Sequence, residues 1–300
     1  MNDHSPLRSA WTDSLARGRR PDAAALRAHL RAVHRDHAGF TETCAQACRD
    51  AAGRTSYDWL AEAVPQTGGA RVLDLACGSG PLLDILHHRN ADMRLTGLDM
   101  CPEELALAHA RLPAGSVDLV QAEAQDMDRI SDGSLDAVLC HWALTLMDPV
   151  TPVLDEVRRV LAPGGCFAAL VDGPIEAASG YIAVHDLIYG YVQSELPGYG
   201  EVDLGDPRIR GTDSLSDLVR AAFPTATVTV ETSIVTMEGP ARDVAEAAAG
   251  FFYAAFVLSP AARSGMLAEL SDLLSTSGLT NGGPLRGQFA MPINRLVVAT

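Results

Sequence analysis

An apolar stretch, Arg71-Val-Leu-Asp-Leu75, runs into the small-residue turn Ala76-Cys-Gly-Ser-Gly80 and then into a helical pattern over Pro81–His88. Small residues at such a turn let the backbone approach a ligand closely, and the helix that follows offers unpaired N–H groups. A second apolar stretch, Arg94–Leu98, ends at Asp99, which lies 21 residues beyond Gly78. A carboxylate in that place can accept hydrogen bonds from ribose hydroxyls. The two features together point to a nucleotide-type cofactor held at strand ends. A dinucleotide pattern would carry a third glycine where Leu83 stands, and would not carry an acidic residue such as Asp74 within the end of the first strand.

Other groupings could do chemistry. Tyr181, His185 and Tyr189 are spaced i, i+4, i+8 and share one helix face; they either wall a substrate pocket or pack an insertion onto the core. His34, His37, Cys44 and Cys48 are ligand types that zinc favours, yet their spacing matches no common finger, and no metal site is expected. Phe251-Phe-Tyr253 reads as core rather than pocket, and His87, His88 and His109 read as surface groups.

Elements must hold these groups. Strand patterns at 71–75, 94–98, 117–122, 135–140 and 166–171 alternate with helix patterns at 81–88, 102–112 and 152–161. Such alternation predicts a parallel sheet with helices on both faces, a doubly wound α/β fold. Residues 1–20 read as weakly ordered. Helical stretches at 22–38, 40–52 and 57–64 predict an N-terminal helical cap over 1–65, closed by the turn cluster Pro65-Gln-Thr-Gly-Gly69. The rest, 66–300, is predicted to be the cofactor-binding core with an insertion over 174–212. That insertion carries a helix near 182–194. Beyond it the patterns give a helix at 215–223, a strand at 226–237, helices at 241–257 and 260–274, and a last strand at 293–299.

Over residues 70–173 the chain resembles class I S-adenosyl-L-methionine (SAM)-dependent methyltransferases, particularly the small-molecule enzymes related to the ubiquinone/menaquinone group. Val72–Gly80 resembles their first motif, with Ala76 where many members have Gly. Gly97-Leu-Asp-Met100, Ala124-Gln-Asp-Met127, Leu135–Leu146 and Arg158–Gly165 resemble the later motifs, in the same order. The resemblance implies a Rossmann-like, seven-stranded sheet whose last strand is antiparallel, lying between the fifth and sixth. It implies SAM as cofactor, with Asp74, Ala76, Gly78 and Gly80 lining its methionine end. Asp99 would bind the ribose hydroxyls, Met100 would pack on the adenine, and Asp126 would accept from the adenine amine with Met127 beside it. Cys140 and His141 would lie near the sulfonium and the substrate, with His141 the candidate general base. Residues 174–212 would form a lid carrying Tyr181, His185 and Tyr189.

Composition bounds the reaction. The net charge is −15, and all 23 basic residues are arginine. Phosphate backbones need a concentrated positive field, so nucleic acid is not expected as a partner. Apolar runs are too short for a membrane span, and no secretory signal is visible, so a cytoplasmic location is expected. The six cysteines are expected to be reduced. The expected activity is methyl transfer to an O, N or C atom of a small molecule in secondary metabolism, with a homodimer as the expected assembly. Competing readings are a non-methylating reaction on the same fold, such as cyclisation, an NAD-dependent dehydrogenase, and a non-catalytic SAM-binding protein.

Overall fold

The computed structural model describes residues 6–65, 68–202, 204–275 and 285–300. In chain order the helices are α1 (Ala10–Ala16), α2 (Ala23–Asp36), α3 (Phe40–Ala47), α4 (Ser56–Ala61), α5 (Pro81–Arg89), α6 (Pro102–Arg111), α7 (Thr151–Val160), α8 (Tyr181–Glu195), α9 (Thr212–Ala222), α10 (Ala241–Phe251) and α11 (Pro260–Leu274). The strands are β1 (Arg71–Leu75), β2 (Arg94–Asp99), β3 (Val117–Gln121), β4 (Leu135–His141), β5 (Leu161–Asp172), β6 (Thr227–Pro240) and β7 (Arg286–Ala299).

The seven strands form one sheet in the order β3-β2-β1-β4-β5-β7-β6. β1 to β5 pair in parallel, and β7 runs antiparallel to β5 from Asp172↔Ile293 to Cys166↔Ala299. The inner strands read as nearly continuous apolar runs because helices cover both faces. Alternation still sorts their side chains. Leu73, Leu75, Val138 and Cys140 join the cluster under α7 and α9, which also takes in Val153, Leu154, Val157 and Val160 from α7. Those four positions make the apolar stripe of an amphipathic helix. Asp74 and His141 therefore project from the other face. The chain order reverses between β1 and β4, and in open parallel sheets ligands bind beyond the carboxyl ends of strands at such a point.

Two compact units emerge, and they divide the chain otherwise than a cap of 1–65 and a core of 66–300. The sheet unit comprises 53–174, 204–233 and 292–300; the helical unit comprises 1–52, 175–203 and 234–291. In the helical unit α10 packs on α3 and α11, α11 on α8, and α1 on α2. α4 belongs to the sheet unit, where it packs on α5, β4 and β5.

Several sequence expectations are corrected. Residues 10–16 are helical rather than weakly ordered: Ser9 and Thr12 form a capping box, and Trp11 is 1% exposed. Trp11 stacks on His29 and meets Tyr199 edge-on, so long-range packing supplies what local polarity hides. The helix expected over 40–52 stops at Ala47, because Arg49 leaves to make a two-bond antiparallel bridge with Thr236. The helix expected over 241–257 breaks at the extended Phe252 and continues as a 3-10 turn over Tyr253–Val257. The last strand starts at Arg286 rather than near Ile293. Among the described residues no helix is long and apolar enough to cross a membrane.

Candidate active site

The turn after β1 is tied to the end of β2. Gly78 N–H donates to Asp99 Oδ2 at 2.9 Å, Cys101 N–H donates to Asp99 Oδ1 at 2.8 Å, and Cys77 N–H donates to Leu98 O at 3.0 Å. Each carboxylate oxygen has a second lone pair, so Asp99 can brace the turn and still accept from ligand hydroxyls. Gly78 (φ +52°) and Gly80 (φ +79°) adopt the left-handed conformation that glycine tolerates best. A Cβ on Gly80 would stand 3.1 Å from Ala108 Cβ, so this glycine admits α6 rather than a ligand. Ala76 adopts φ +59° without being glycine.

Three carboxylates crowd this turn out of water: Asp74 at 1% exposure, Asp99 at 7% and Glu104 at 2%. Asp74 Oδ1 has no hydrogen-bond partner among the described residues. Burial, reinforced by the charge of Asp99, raises the Asp74 carboxyl to about 8. A buried, unpartnered acceptor beside two more carboxylates suits a ligand that brings an ammonium and hydroxyls. It repels a pyrophosphate, which disfavours a dinucleotide. Glu104 escaped the sequence reading; its only signal is a position in the first turn of α6, three residues past Cys101.

The remaining cofactor candidates divide. Met100 is half-buried next to Asp99, and Asp126 is exposed in the loop after β3. Met127 and Cys140 are fully buried in the core cluster on the α7 side of the sheet. Met127 N–H donates to Glu156 Oε2 at 2.8 Å, and burial pushes the Cys140 thiol up to about 12. Their contribution is packing beneath the site.

His141, at the end of β4, is gripped on several sides. Its Nε2 lies 2.9 Å from Ser56 Oγ, the Tyr57 ring stacks on it at 3.8 Å, and Trp142 meets it edge-on at 5.1 Å. Burial pushes the imidazole down to about 3, so the ring is neutral at physiological pH. Trp142 sits at φ +61°, a strained value for a bulky residue, and its Nε1–H donates to Asp172 Oδ1 at 2.8 Å. Asp172 in turn pairs with Arg210 at 3.4 Å. The partners Ser56 and Tyr57 come from α4, far away in sequence, and no local signal announces them.

Residues 73–169 match the methyltransferase domain family. The chain is 33% identical to trans-aconitate 2-methyltransferase of Methylobacterium nodulans, over 42% of this chain and 47% of that one. It is 31% identical to demethylmenaquinone methyltransferase of Thermus thermophilus, over 51% of this chain and 66% of that one. By sequence, residues 73–169 form a methyltransferase domain. The sheet order agrees: a Bacillus halodurans protein assigned to the methyltransferases shares the fold with a TM-score of 0.54 and 14% identity, over 81% of this chain and 98% of that one. The chain spans about half the length of the first curated relatives it matches.

The donor set around β1 and β2 fits SAM, the cofactor that the resemblance implies. Outside the domain, Tyr181 is buried with Phe252 and Phe289 at 6.1 and 6.0 Å, which is a core role. His185 and Tyr189 stack on each other at 4.1 Å, half-buried, and Tyr189 meets Tyr199. The helix face shared by the three thus serves two clusters. His34 bonds Tyr253 OH at 2.7 Å, and His37 packs on Phe256 at 4.6 Å. Cys44 and Cys48 are both buried and free of disulfides, and the neighbouring Cys48 thiol together with burial pushes the Cys44 thiol well above its ordinary range. Among the described residues no group of three or more His, Cys, Asp or Glu side chains is arranged to hold a metal ion.

Proposed function

We propose that the chain transfers a methyl group from SAM to an O, N or C atom of a small molecule of secondary metabolism. The observation that carries this is the braced turn after β1: Asp99 ties Gly78 in place while the buried Asp74 keeps an oxygen without a partner among the described residues. When bound, SAM supplies a methyl group already activated by its sulfonium. The chain's own work is then alignment and exclusion of water. In this reading Asp74 receives the ammonium of the methionine end, and Asp99 holds the ribose hydroxyls. Met100 and Asp126 border the adenine, and His141 faces the acceptor.

A small acceptor is supported by the net charge of −15, which repels nucleic acid. It is also supported by the relatives, two of which are named for trans-aconitate and demethylmenaquinone. The test incubates the purified chain and methyl-labelled SAM with a panel of small carboxylic acids, phenols and amines. Label should pass into the small-molecule fraction, and Asp99→Ala should abolish the transfer. Acceptor conversion without incorporation of label would reject methyl transfer in favour of a rearrangement such as cyclisation.

A further inference from the structure

Ser56 is 1% exposed, and His141 Nε2 is the only side-chain partner of its hydroxyl among the described residues. A buried hydroxyl has one hydrogen to place and two lone pairs. Leaving the hydrogen without an acceptor costs more than leaving a lone pair idle. The economical arrangement has Ser56 Oγ–H donating to Nε2. Turning the ring over would put a carbon against Ser56 and strand the hydroxyl, so the hydrogen bond also fixes the ring's orientation. A neutral imidazole carries one hydrogen, which then resides on Nδ1. Nδ1 makes no hydrogen bond among the described residues, while His141 as a whole is half-buried rather than sealed. The ring cannot swing away: Tyr57 stacks on one face, and the edge-on Trp142 is itself pinned through Nε1 to Asp172. Ser56 is likewise fixed. The Thr55–Asp58 capping box sets the start of α4, Arg89 of α5 bonds Asp58, and Arg295 of β7 bonds Trp59 O at 2.8 Å.

We propose that Ser56 fixes His141 in the tautomer with hydrogen on Nδ1, so that His141 acts as a hydrogen-bond donor to an oxygen of the acceptor and not as a base. Ser56 is thus a positioning residue and His141 an acceptor-binding residue. The inference rests on the methyltransferase reading above. It narrows the acceptor to molecules that present a hydrogen-bond-accepting oxygen, such as a carboxylate, a carbonyl or a phenolate, at or beside the methylated atom. The nucleophile must arrive already able to attack, since the ring at this position does not collect its proton. Burial, with no neighbouring charge among its causes, holds the imidazole neutral and agrees with this role.

Long-range proton–nitrogen NMR on the nitrogen-labelled full chain decides it, with His141→Gln used to assign the signals. His141 is expected to show a single Nδ1–H pattern that does not change from about pH 5.5 to 8.5, a window that brackets an ordinary histidine. An Nε2–H pattern, or protonation within that window, would overturn the proposal. Ser56→Ala should replace the single pattern with an averaged one, and an unchanged pattern there would remove Ser56 from the account. Should the alanine variant not fold, Ser56→Cys, with its weaker donor, gives the same comparison. Calorimetric binding of S-adenosylhomocysteine to the wild-type sample reads the methyltransferase assignment separately. Its absence would overturn that assignment, and with it the donor's role, while the tautomer would still stand or fall on the NMR alone.

Discussion

Asp74 carries the sharpest consequence at the scale of the residue. An unfolded carboxyl titrates near 3.9, whereas burial and Asp99 raise this one to about 8 in the fold. Between these values the native state keeps a proton that the unfolded chain has released. The stabilising contribution is therefore complete below about pH 4 and is lost as the pH climbs towards 8. Asp74→Asn, which cannot ionise, should gain in melting temperature relative to wild type as the pH rises from about 5 to 8.5. Parallel curves would show that Asp74 is ionised throughout. The same substitution should weaken S-adenosylhomocysteine binding about ten- to a hundredfold, since a hydrogen bond to a charged group contributes roughly 1.5–3 kcal/mol. Ala76 is the second residue of note. Its φ of +59° costs an L-residue about 1–2 kcal/mol, partly offset because glycine loses more freedom on folding. Ala76→Gly should therefore raise the melting temperature by about 1–3 °C. A fall instead of a rise in a calorimetric scan would mean that the alanine methyl makes a contact worth more than the strain.

Among the elements, the loops beyond the strand ends are more tightly specified than their composition suggests. Gly205 (φ +88°) lies against the 3-10 turn that follows β4: an added Cβ would stand 2.1 Å from Thr145 O, a backbone atom that cannot yield cheaply. Gly180, at the start of α8, has a similar φ of +81° with nothing within 4 Å of an added Cβ. Gly180→Ala should cost about 1 kcal/mol, from conformation alone. Gly205→Ala should cost at least about 2 kcal/mol, from conformation and crowding together. Urea midpoints of the two variants read the difference; equal midpoints would show that the loop at Gly205 gives way. Trp142 shows the same specification within β4's exit: a strained bulky residue kept in place by Asp172, which holds the neighbouring His141 edge-on.

For the molecule as a whole, the helical unit is assembled from three separate chain segments. Its N-terminal part contributes Trp11, Leu26, Leu30, Val33, Cys44 and Ala45, all buried. α3 covers part of α10, whose Val244, Ala245, Ala248 and Ala249 are buried as well. A chain starting at Gly53 should therefore expose apolar helix surface, bind a hydrophobic dye and aggregate. A soluble, cooperatively unfolding product would show that α8, α10 and α11 suffice by themselves. The charge of −15 acts at this scale too, favouring solubility and discouraging polyanion partners.

The order of the strands in the chain and a nucleotide-type cofactor were legible in the sequence. Runs such as Arg71–Leu75 and turns such as Ala76–Gly80 declare themselves locally, because strand burial, glycine conformation and the short path from β1 to Asp99 are properties of contiguous residues. The sequence also determined which residues stand at strand ends, Asp74, Asp99 and His141 among them. Tertiary structure decided what those residues can do. Asp74 holds its proton because it is itself buried, with the charge of Asp99 beside it; Cys140 turns into the core cluster with α7, and Met127 joins it from the loop after β3, where Glu156 of α7 accepts its N–H. Tyr181 packs with Phe252 and Phe289 instead of sharing one wall with His185 and Tyr189. His141 is neutral and oriented because Ser56 and Tyr57, 85 and 84 residues earlier, close around it. Pattern and spacing carry backbone conformation, which is short-range; desolvation and hydrogen-bond partnership depend on which distant segments meet, and these set the chemistry of the site.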